Sequence, residues 1–211
     1  MGRNIGPQCR LCRTEGTRLF LKGERCRGAK CPITKKKAAP GKGLRARTRK
    51  PSDYAMQLRE KQRLKRMYGM LEAQFHLFFE RASQAKGVTG EYLIQSLERR
   101  IDNVVYRMHF APSRKAARQL VLHRHVRLNG RTASVPSQLV KANDVVSISE
   151  RSAKLTGVME SLKEYSRSGI VPWLELDPDK MTGIVKAIPR RSEVTDLADI
   201  REQLIVELYS K

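Results

Sequence analysis

Apolar side chains recur at helical spacing through much of this chain. The longest stripe runs from Leu93 to Met108 in steps of four, four, three, one and three residues, which is the repeat of one face of a single helix. Shorter stripes of the same kind predict further helices at about residues 54–68, 71–86, 114–121 and 153–168.

Polar residues that can cap a helix precede two of these stripes. Ser52 or Asp53 is suited to begin the first helix, and Ser113 is suited to begin the short one, because their side-chain oxygens accept N–H groups of a first turn. Arg114 and Arg118 then lie four residues apart on one face of the short helix. Arginines beside a helix N-terminus are expected to bind phosphate.

A different repeat, the alternation typical of a strand, occupies Val126–Leu128 and is followed by the hairpin signal Asn129-Gly130. Val145–Ile148 predicts a further strand, and the final apolar stretch Leu204–Tyr209 is β-prone. Residues 91–150 are therefore predicted to form two helices followed by a small antiparallel sheet, and the fold class is α+β.

Positive charge dominates the composition and is concentrated at one end. The 211 residues carry 43 Lys and Arg against 21 Asp and Glu, a net charge of +22. Residues 1–50 hold 16 basic and 2 acidic residues, whereas residues 151–211 hold ten of each. The basic block predicts a nucleic acid partner, since an anionic lipid surface would require a long amphipathic helix. The neutral end is expected to pack against protein, for which the helices of residues 54–85 are candidates.

RNA is the better candidate of the two nucleic acids. The sequence shows no tight helix-turn-helix, no basic region followed by heptads and no finger of two Cys and two His. Aromatic residues make up 6% of the chain, too few for a platform that stacks unpaired bases. Dense arginine without base-reading elements suits a folded RNA that is recognised by its shape and backbone.

The four cysteines of the chain are Cys9, Cys12, Cys26 and Cys31. A Cys-x2-Cys turn directs two thiolates at one tetrahedral ion, and the following 13-residue loop can return a second pair to close the site. The spacing predicts a structural metal site that holds zinc or, alternatively, an iron–sulfur cluster.

Three other interpretations of the cysteines compete with a metal. Four unrelated free thiols would rarely cluster within 23 residues. Two disulfides would need an oxidising compartment. The longest apolar run is three residues, so neither a secretory signal nor a membrane span is expected. A redox-active Cys-x2-Cys would lie in a βαβ pattern, which the sequence does not show.

Residues 32–53 are predicted to be a basic linker. Arg45, Arg47 and Arg49 occupy alternate positions and are followed by Lys50. In an extended chain such side chains can all reach outward, and guanidinium groups are well matched to phosphate.

Several long motifs resemble the family of ribosomal protein S-four, in its bacterial type with the metal-binding set of four cysteines. The match runs nearly end to end and is carried by Gly16–Lys22, Pro51–Tyr54, Leu58–Gln62, Arg100–Arg107, Ser113–Val121, His125–Gly130 and Glu202–Lys211.

The resemblance implies a structural constituent of the small ribosomal subunit in the cytoplasm. Such a protein is a primary binder of small-subunit ribosomal RNA at a junction in the 5′ domain and acts early in subunit assembly. Its implied partners are ribosomal protein S-five, other small-subunit proteins and the mRNA that enters the ribosome, with an influence on decoding accuracy. Some members of the family also repress translation of their own mRNA. No membrane and no small-molecule substrate are implied.

The resemblance also implies how the chain is divided. Residues 1–45 would form the basic four-cysteine segment and linker, residues 46–98 a helical domain completed by about residues 170–211, and residues 99–169 an inserted RNA-binding module. Charge, placement and the resemblance together give these candidate RNA-binding residues: Arg45, Arg47, Arg49, Lys50, Arg59, Arg63, Lys65, Arg66, Arg100, Arg107, Ser113, Arg114, Lys115, Arg118, His123, Arg124, Arg127 and Arg131.

Two positions depart from the family pattern. His109 and Arg124 occupy places where many members have glycine, and both places are expected to require a positive φ. Adopting it costs a residue with a side chain on the order of 1 kcal/mol.

Two other functions were weighed. Arg100-Ile101-Asp102 resembles the surroundings of a catalytic aspartate in pseudouridine synthases, which carry the same RNA-binding module. However, Asp102 lies within a predicted helix, where it is expected to pair with a neighbouring arginine, and no room is left for a catalytic domain, so an enzyme is not expected. A free RNA chaperone is disfavoured by the full-length match and the cysteine segment.

Overall fold

A computed structural model describes residue 2, residues 4–41 and residues 50–210. The chain forms two compact units, one of residues 1–90 with 199–211 and one of residues 91–198. In the described ranges no helix combines the length and apolarity needed to cross a membrane.

The helices, numbered in chain order, are α1 (Gln8–Glu15), α2 (Glu24–Arg27), α3 (Asp53–Met67), α4 (Glu72–Gln84), α5 (Thr89–Glu98), α6 (Ile101–Arg107), α7 (Arg114–Leu122), α8 (Glu150–Ala153), α9 (Thr156–Ser168) and α10 (Glu202–Tyr209). The strands are β1 (Val126–Leu128), β2 (Arg131–Ala133), β3 (Val145–Ile148), β4 (Leu174–Asp177) and β5 (Thr182–Val185). Short 3₁₀ turns occupy Arg191–Glu193 and Thr195–Leu197.

The first unit is built from helices that enclose a small core. Ser52 Oγ accepts a hydrogen bond from the Ala55 N–H, which confirms the predicted cap of α3. Leu64 of α3 and Phe75 of α4 are fully buried. These helices follow the apolar stripes from which they were predicted.

The end of the chain is helical, so the strand character predicted for Leu204–Tyr209 is wrong. Helix α10 packs against α3, with Ile205 fully buried. Tyr209 stacks on Phe79, with 4.4 Å between the ring centroids. Packing against other helices overrides the local preference of such a stretch. The expectation that the last residues pack on the helices of residues 54–85 holds for α10.

The last turn of α10 is also joined to the start of α4 by polar contacts. Tyr209 Oη donates to Glu72 at 3.0 Å, and the Lys65 ammonium lies 2.6 Å from the same carboxylate. The Lys61 ammonium bonds Glu72 and lies over the Tyr209 ring. Partial burial alone would raise the pKa of Glu72, but hydrogen bonds from Lys61, Lys65 and Tyr209 outweigh it and lower the pKa from 4.5 to about 2.

We expect Glu72→Gln to remove an acid-sensitive part of the stability of the first unit. Because the folded pKa of Glu72 lies below 4.5, its contribution is complete above pH 4.5 and is lost as pH falls towards about 2. The carboxylate is 47% exposed, and solvent screening limits the effect to about 1 kcal/mol or less. Hydrogen exchange of α3 and α10 amides between pH 2 and 5 measures it. Glu80→Gln, on the same helix and similarly exposed, is the control, and an unchanged pH profile in Glu72→Gln would contradict the prediction.

The second unit contains a five-stranded antiparallel sheet in the order β2-β1-β3-β5-β4. Val126 pairs with Ala133 and Ile148, and all three residues belong to the buried core against which α6 and α7 pack. Asn129 and Gly130 both have positive φ values, as a tight hairpin turn requires. The predicted hairpin and α+β class are confirmed.

The long apolar stripe from Leu93 to Met108 is two helices, so the prediction of one helix is wrong. Arg100 is extended between α5 and α6 and forms a backbone bridge with Leu139. The Ile101 N–H donates to the Gln138 carbonyl at 2.8 Å. The six apolar side chains of the stripe are nevertheless all fully buried, on both sides of the break.

The boundary between the units differs from the expected division. Residues 170–198 were expected to complete the helical domain, but they belong to the second unit, where β4 and β5 extend the sheet. The chain's single tryptophan, Trp173, is 2% exposed in that core. Only residues 199–211 return to the first unit. The alternating apolar positions of these two strands were not recognised in the sequence.

His109 and Arg124 have φ values of 57° and 62°. The positive φ expected at both positions is confirmed, so the backbone keeps this conformation although neither residue is glycine. Arg124 lies in the turn that leads from α7 to β1.

Candidate nucleic-acid interface

Ser113 fixes the start of α7, the helix that carries three of the predicted RNA-binding residues, Arg114, Lys115 and Arg118. Its Oγ accepts the Ala116 N–H, and its side chain is buried. The predicted cap is therefore confirmed. Because this side chain is buried, its hydroxyl serves as the helix cap and is not exposed to RNA.

A buried ion-pair cluster holds α6 against α7. Arg100 makes two hydrogen bonds to Asp102, Nε to Oδ1 at 3.0 Å and Nη2 to Oδ2 at 2.7 Å. Arg118 of α7 donates to the same carboxylate at 3.3 Å. All three residues are less than 10% exposed. Asp102 thus pairs with neighbouring arginines, as expected.

A second branch of the cluster is centred on Arg107. It donates twice to Glu98, at 3.0 and 2.9 Å, and once to Asp196 at 2.7 Å. Arg114 donates to Asn103 Oδ1 at 2.7 Å, and its guanidinium lies 4.7 Å from the Tyr106 ring centroid. The side chain of Glu98 is fully buried, so its charge is compensated only by protein groups.

The structure places four of the predicted RNA-binding residues in the interior. Arg100, Arg107, Ser113 and Arg118 are buried and bonded within the protein, rather than exposed as the prediction assumed. Arg114 is largely buried and turned towards Asn103. The face of α7 that was expected to meet phosphate packs against α6 instead.

Five of the predicted residues in this unit have exposed or outward-facing side chains. Lys115 lies on the outer side of α7, His123 and Arg124 follow the end of that helix, and Arg127 and Arg131 lie on the hairpin. Arg127 pairs in register with Thr132 and Ser147 on the face of the sheet opposite Val126. These five side chains form an exposed basic surface that a polyanion can contact.

Four of the five predicted basic residues that the structure describes in the first unit are paired with acids. Lys50 is exposed, whereas Arg45, Arg47 and Arg49 lie outside the described residues. Arg59 and Arg66 bond Glu15, Arg63 bonds Asp199, and Lys65 bonds Glu72. Burial raises the pKa of Glu15, and the guanidinium groups of Arg66, Arg59 and Arg63 act against that rise.

The cysteine segment shows the surroundings expected of thiolate ligands. Cys12, Cys26 and Cys31 are buried in a segment with few other buried residues. The Lys22 N–H donates to Cys26 Sγ at 3.3 Å. Burial would raise the pKa of Cys31, but the N–H groups of Thr34 and Ile33 and the Thr34 hydroxyl outweigh it and lower the pKa.

Cys12 differs from Cys31 in its electrostatic surroundings. Burial raises the pKa of the Cys12 thiol, the Leu19 N–H opposes it, and the nearby Cys26, Cys9 and Cys31 sulfurs raise it further. A bound cation reduces the electrostatic repulsion among these sulfur atoms. All four are free thiols, and across the described ranges no three Cys, His, Asp or Glu side chains form a ready-made ligand group. The donor set fits a soft cation, although the side chains are not grouped for it.

Two family profiles match consecutive parts of the chain. The profile of the ribosomal protein S4/S9 N-terminal domain matches residues 3–98, and that of the S4 domain matches residues 99–146. Proteins named small ribosomal subunit protein uS4 from Trichlorobacter lovleyi and Desulfotalea psychrophila are 53% and 52% identical to this chain. A protein named small ribosomal subunit protein uS4A from Symbiobacterium thermophilum is 51% identical. Each match covers 211 residues and the full length of both chains. The chain therefore belongs to the uS4 family of small ribosomal subunit proteins.

Proposed function

We propose that this protein is a structural constituent of the small ribosomal subunit, where it binds ribosomal RNA through the second unit. The observation that carries this proposal is the separation of its arginines. Those of the α6–α7 cluster are neutralised inside the unit, whereas Lys115, His123, Arg124, Arg127 and Arg131 remain exposed. The uS4 family consists of ribosomal structural proteins and not of enzymes.

The proposed contacts are made mainly to the RNA backbone. Exposed Lys and Arg side chains bind phosphate without reading sequence, and a folded RNA junction supplies the shape they fit. We infer that the junction lies in the 5′ domain of the small-subunit ribosomal RNA and that binding occurs early in assembly. The internal ion pairs support this role by keeping α7 rigid beneath the exposed residues.

Further partners follow from the same proposal. Ribosomal protein S-five and other small-subunit proteins are proposed neighbours in the cytoplasmic ribosome. The basic stretch of Arg45, Arg47, Arg49 and Lys50 is proposed to contact incoming mRNA and to influence decoding accuracy. Its alternating arginines support contact with a flexible phosphate backbone.

We also propose that Cys9, Cys12, Cys26 and Cys31 hold a zinc ion, with an iron–sulfur cluster as the alternative. The burial of Cys12, Cys26 and Cys31 and the N–H groups directed at Cys26 and Cys31 support thiolate ligands. Four protein ligands leave no open position, so the metal would supply folding energy and no catalysis.

Binding to the 5′ domain of small-subunit ribosomal RNA across a salt series tests the proposed function. The control is an RNA of equal length with scrambled junctions. We expect a preference of roughly a hundredfold for the 5′-domain RNA over the control, which corresponds to about 2.7 kcal/mol. This preference should persist at moderate salt. Equal affinity for both RNAs, with a steep loss of affinity as the salt concentration rises, would contradict a site-specific role.

Lys115→Ala and Arg127→Ala are expected to weaken this binding through the loss of one phosphate contact each. The slope of log affinity against log salt should fall by about one for each variant. Lys180→Ala, an exposed cation on the β4–β5 turn of the same unit, is the matched control. If all three variants kept the wild-type slope, the interface would lie elsewhere.

A further inference from the structure

The second unit contains a groove that the contacts described so far do not use. It has a volume of about 360 Å³ and lies between α7 and the start of α9. Apolar residues line most of it, among them Phe110, Leu120 and Val158. Leu155 at its edge is 40% exposed. Open apolar surface of this kind beside a basic face indicates a binding site.

One side of the groove carries planar and polar groups. His123 and His125 line it with their rings 5.9 Å apart and 26° from parallel. His125 Nδ1 lies 2.7 Å from the hydroxyl of the buried Ser152, which fixes the orientation of this ring. Gln119 adds an exposed side-chain amide, which can both donate and accept hydrogen bonds.

The charged residues that directly adjoin lining residues in the sequence have one sign. No Asp, Glu, Lys or Arg lines the groove, and each charged residue that directly adjoins a lining residue in sequence is basic. Three of these, Lys115, Arg124 and Lys154, are exposed. An apolar groove with basic residues at its border complements a flat, uncharged group that is attached to a polyanion.

We propose that this groove receives one unstacked base of the bound RNA. The base would lie against the imidazoles, Gln119 would bond its edge, and Lys115 and Arg124 would bind flanking phosphates. Bases in RNA loops and bulges are read in this way, by stacking on planar side chains and hydrogen bonding at their edges. The inference rests on the proposed ribosomal RNA binding and adds a subsite to it.

Gly157 provides the means of testing the groove. It lines the groove, has no positive φ, and a Cβ added there meets no atom within 4 Å. Gly157→Leu therefore adds a bulky apolar side chain at the wall of the groove with no clash at Cβ. Met159→Leu places a leucine on the same helix at a half-exposed position outside the lining, and it is the matched control.

The measurement combines affinity for the 5′-domain RNA with chemical modification of its base edges by dimethyl sulfate and carbodiimide. Wild type and Met159→Leu are expected to protect at least one unpaired base that Gly157→Leu leaves reactive. Loss of one stacked base should weaken binding about five- to hundredfold. Gln119→Ala should keep the protein bound but weaken protection of the same base.

Three results would overturn the subsite. The first is equal affinity and equal base protection in wild type and Gly157→Leu. The second is an equal loss in Gly157→Leu and Met159→Leu, which would indicate a general effect on α9. The third is that Gly157→Leu binds RNA like wild type but fails to enter reconstituted subunits. That result would assign the groove to a protein neighbour. Failure of the proposed function is distinct, because wild type itself would then not prefer the 5′-domain RNA.

Discussion

Asp102→Ala should lower the free energy of unfolding of the second unit by about 3–5 kcal/mol. Asp102 accepts two hydrogen bonds from Arg100 and one from Arg118, and these two arginines are 1% and 7% exposed. Without the carboxylate, two buried guanidinium ions lose the anion that they share, and their burial keeps water from replacing it. Urea unfolding of the full chain, followed by Trp173 fluorescence, measures the change within this unit.

Asp179→Ala is the control, because it removes an exposed aspartate from the same unit. It should change the free energy of unfolding by less than about 0.5 kcal/mol. Asp102→Asn should fall between the two, since it keeps an acceptor but loses the charge. Equal stabilities for Asp102→Ala and Asp179→Ala would mean that the cluster does not stabilise the unit.

Cys26→Ser is expected to remove the proposed metal and to loosen residues 1–40. A structural zinc site of four ligands supplies about 10–16 kcal/mol of apparent binding energy in small zinc domains, and a serine hydroxyl is a poor replacement for a thiolate. Elemental analysis should give about one metal per wild-type chain and close to none in the variant. Limited proteolysis should then cut the segment first.

Arg25→Ala tests whether the loss is specific to the cysteine, because Arg25 is the exposed neighbour of Cys26 in α2. It should retain the metal. Visible absorption separates the two proposed groups, since zinc thiolate sites are colourless and iron–sulfur clusters are not. Unchanged metal content in Cys26→Ser would refute the four-ligand site.

Local signals predicted the parts of the fold that depend on neighbouring residues. The caps Ser52 and Ser113 and the Asn129-Gly130 turn satisfy their own backbone groups, so they can be recognised without tertiary structure. The break at Arg100 and the helical C-terminus could not be recognised in this way. The first depends on a bridge to Leu139, and the second depends on packing against α3.

The candidate interface was predicted by charge, and charge alone does not distinguish an inward arginine from an outward one. Arg114 and Asp196 are 82 positions apart, and Arg66 and Glu15 are 51 apart. Acidic partners at such separations leave no local pattern. Asp102, two residues from Arg100, was the one partner that sequence reasoning identified. Arg124 and Arg127 remained candidates because neither forms an ion pair with an acidic side chain that the structure describes.

The interrupted first unit has a consequence for synthesis of the chain. Helix α3 is made early, but α10, which packs on it, consists of residues 202–209 and is made only after the whole second unit. Likewise, β3 cannot pair with β5 until some forty further residues have been made. Domains usually fold in order as they emerge. Here the β1–β2 hairpin can form early in translation, whereas the first unit is complete only after the second has been made.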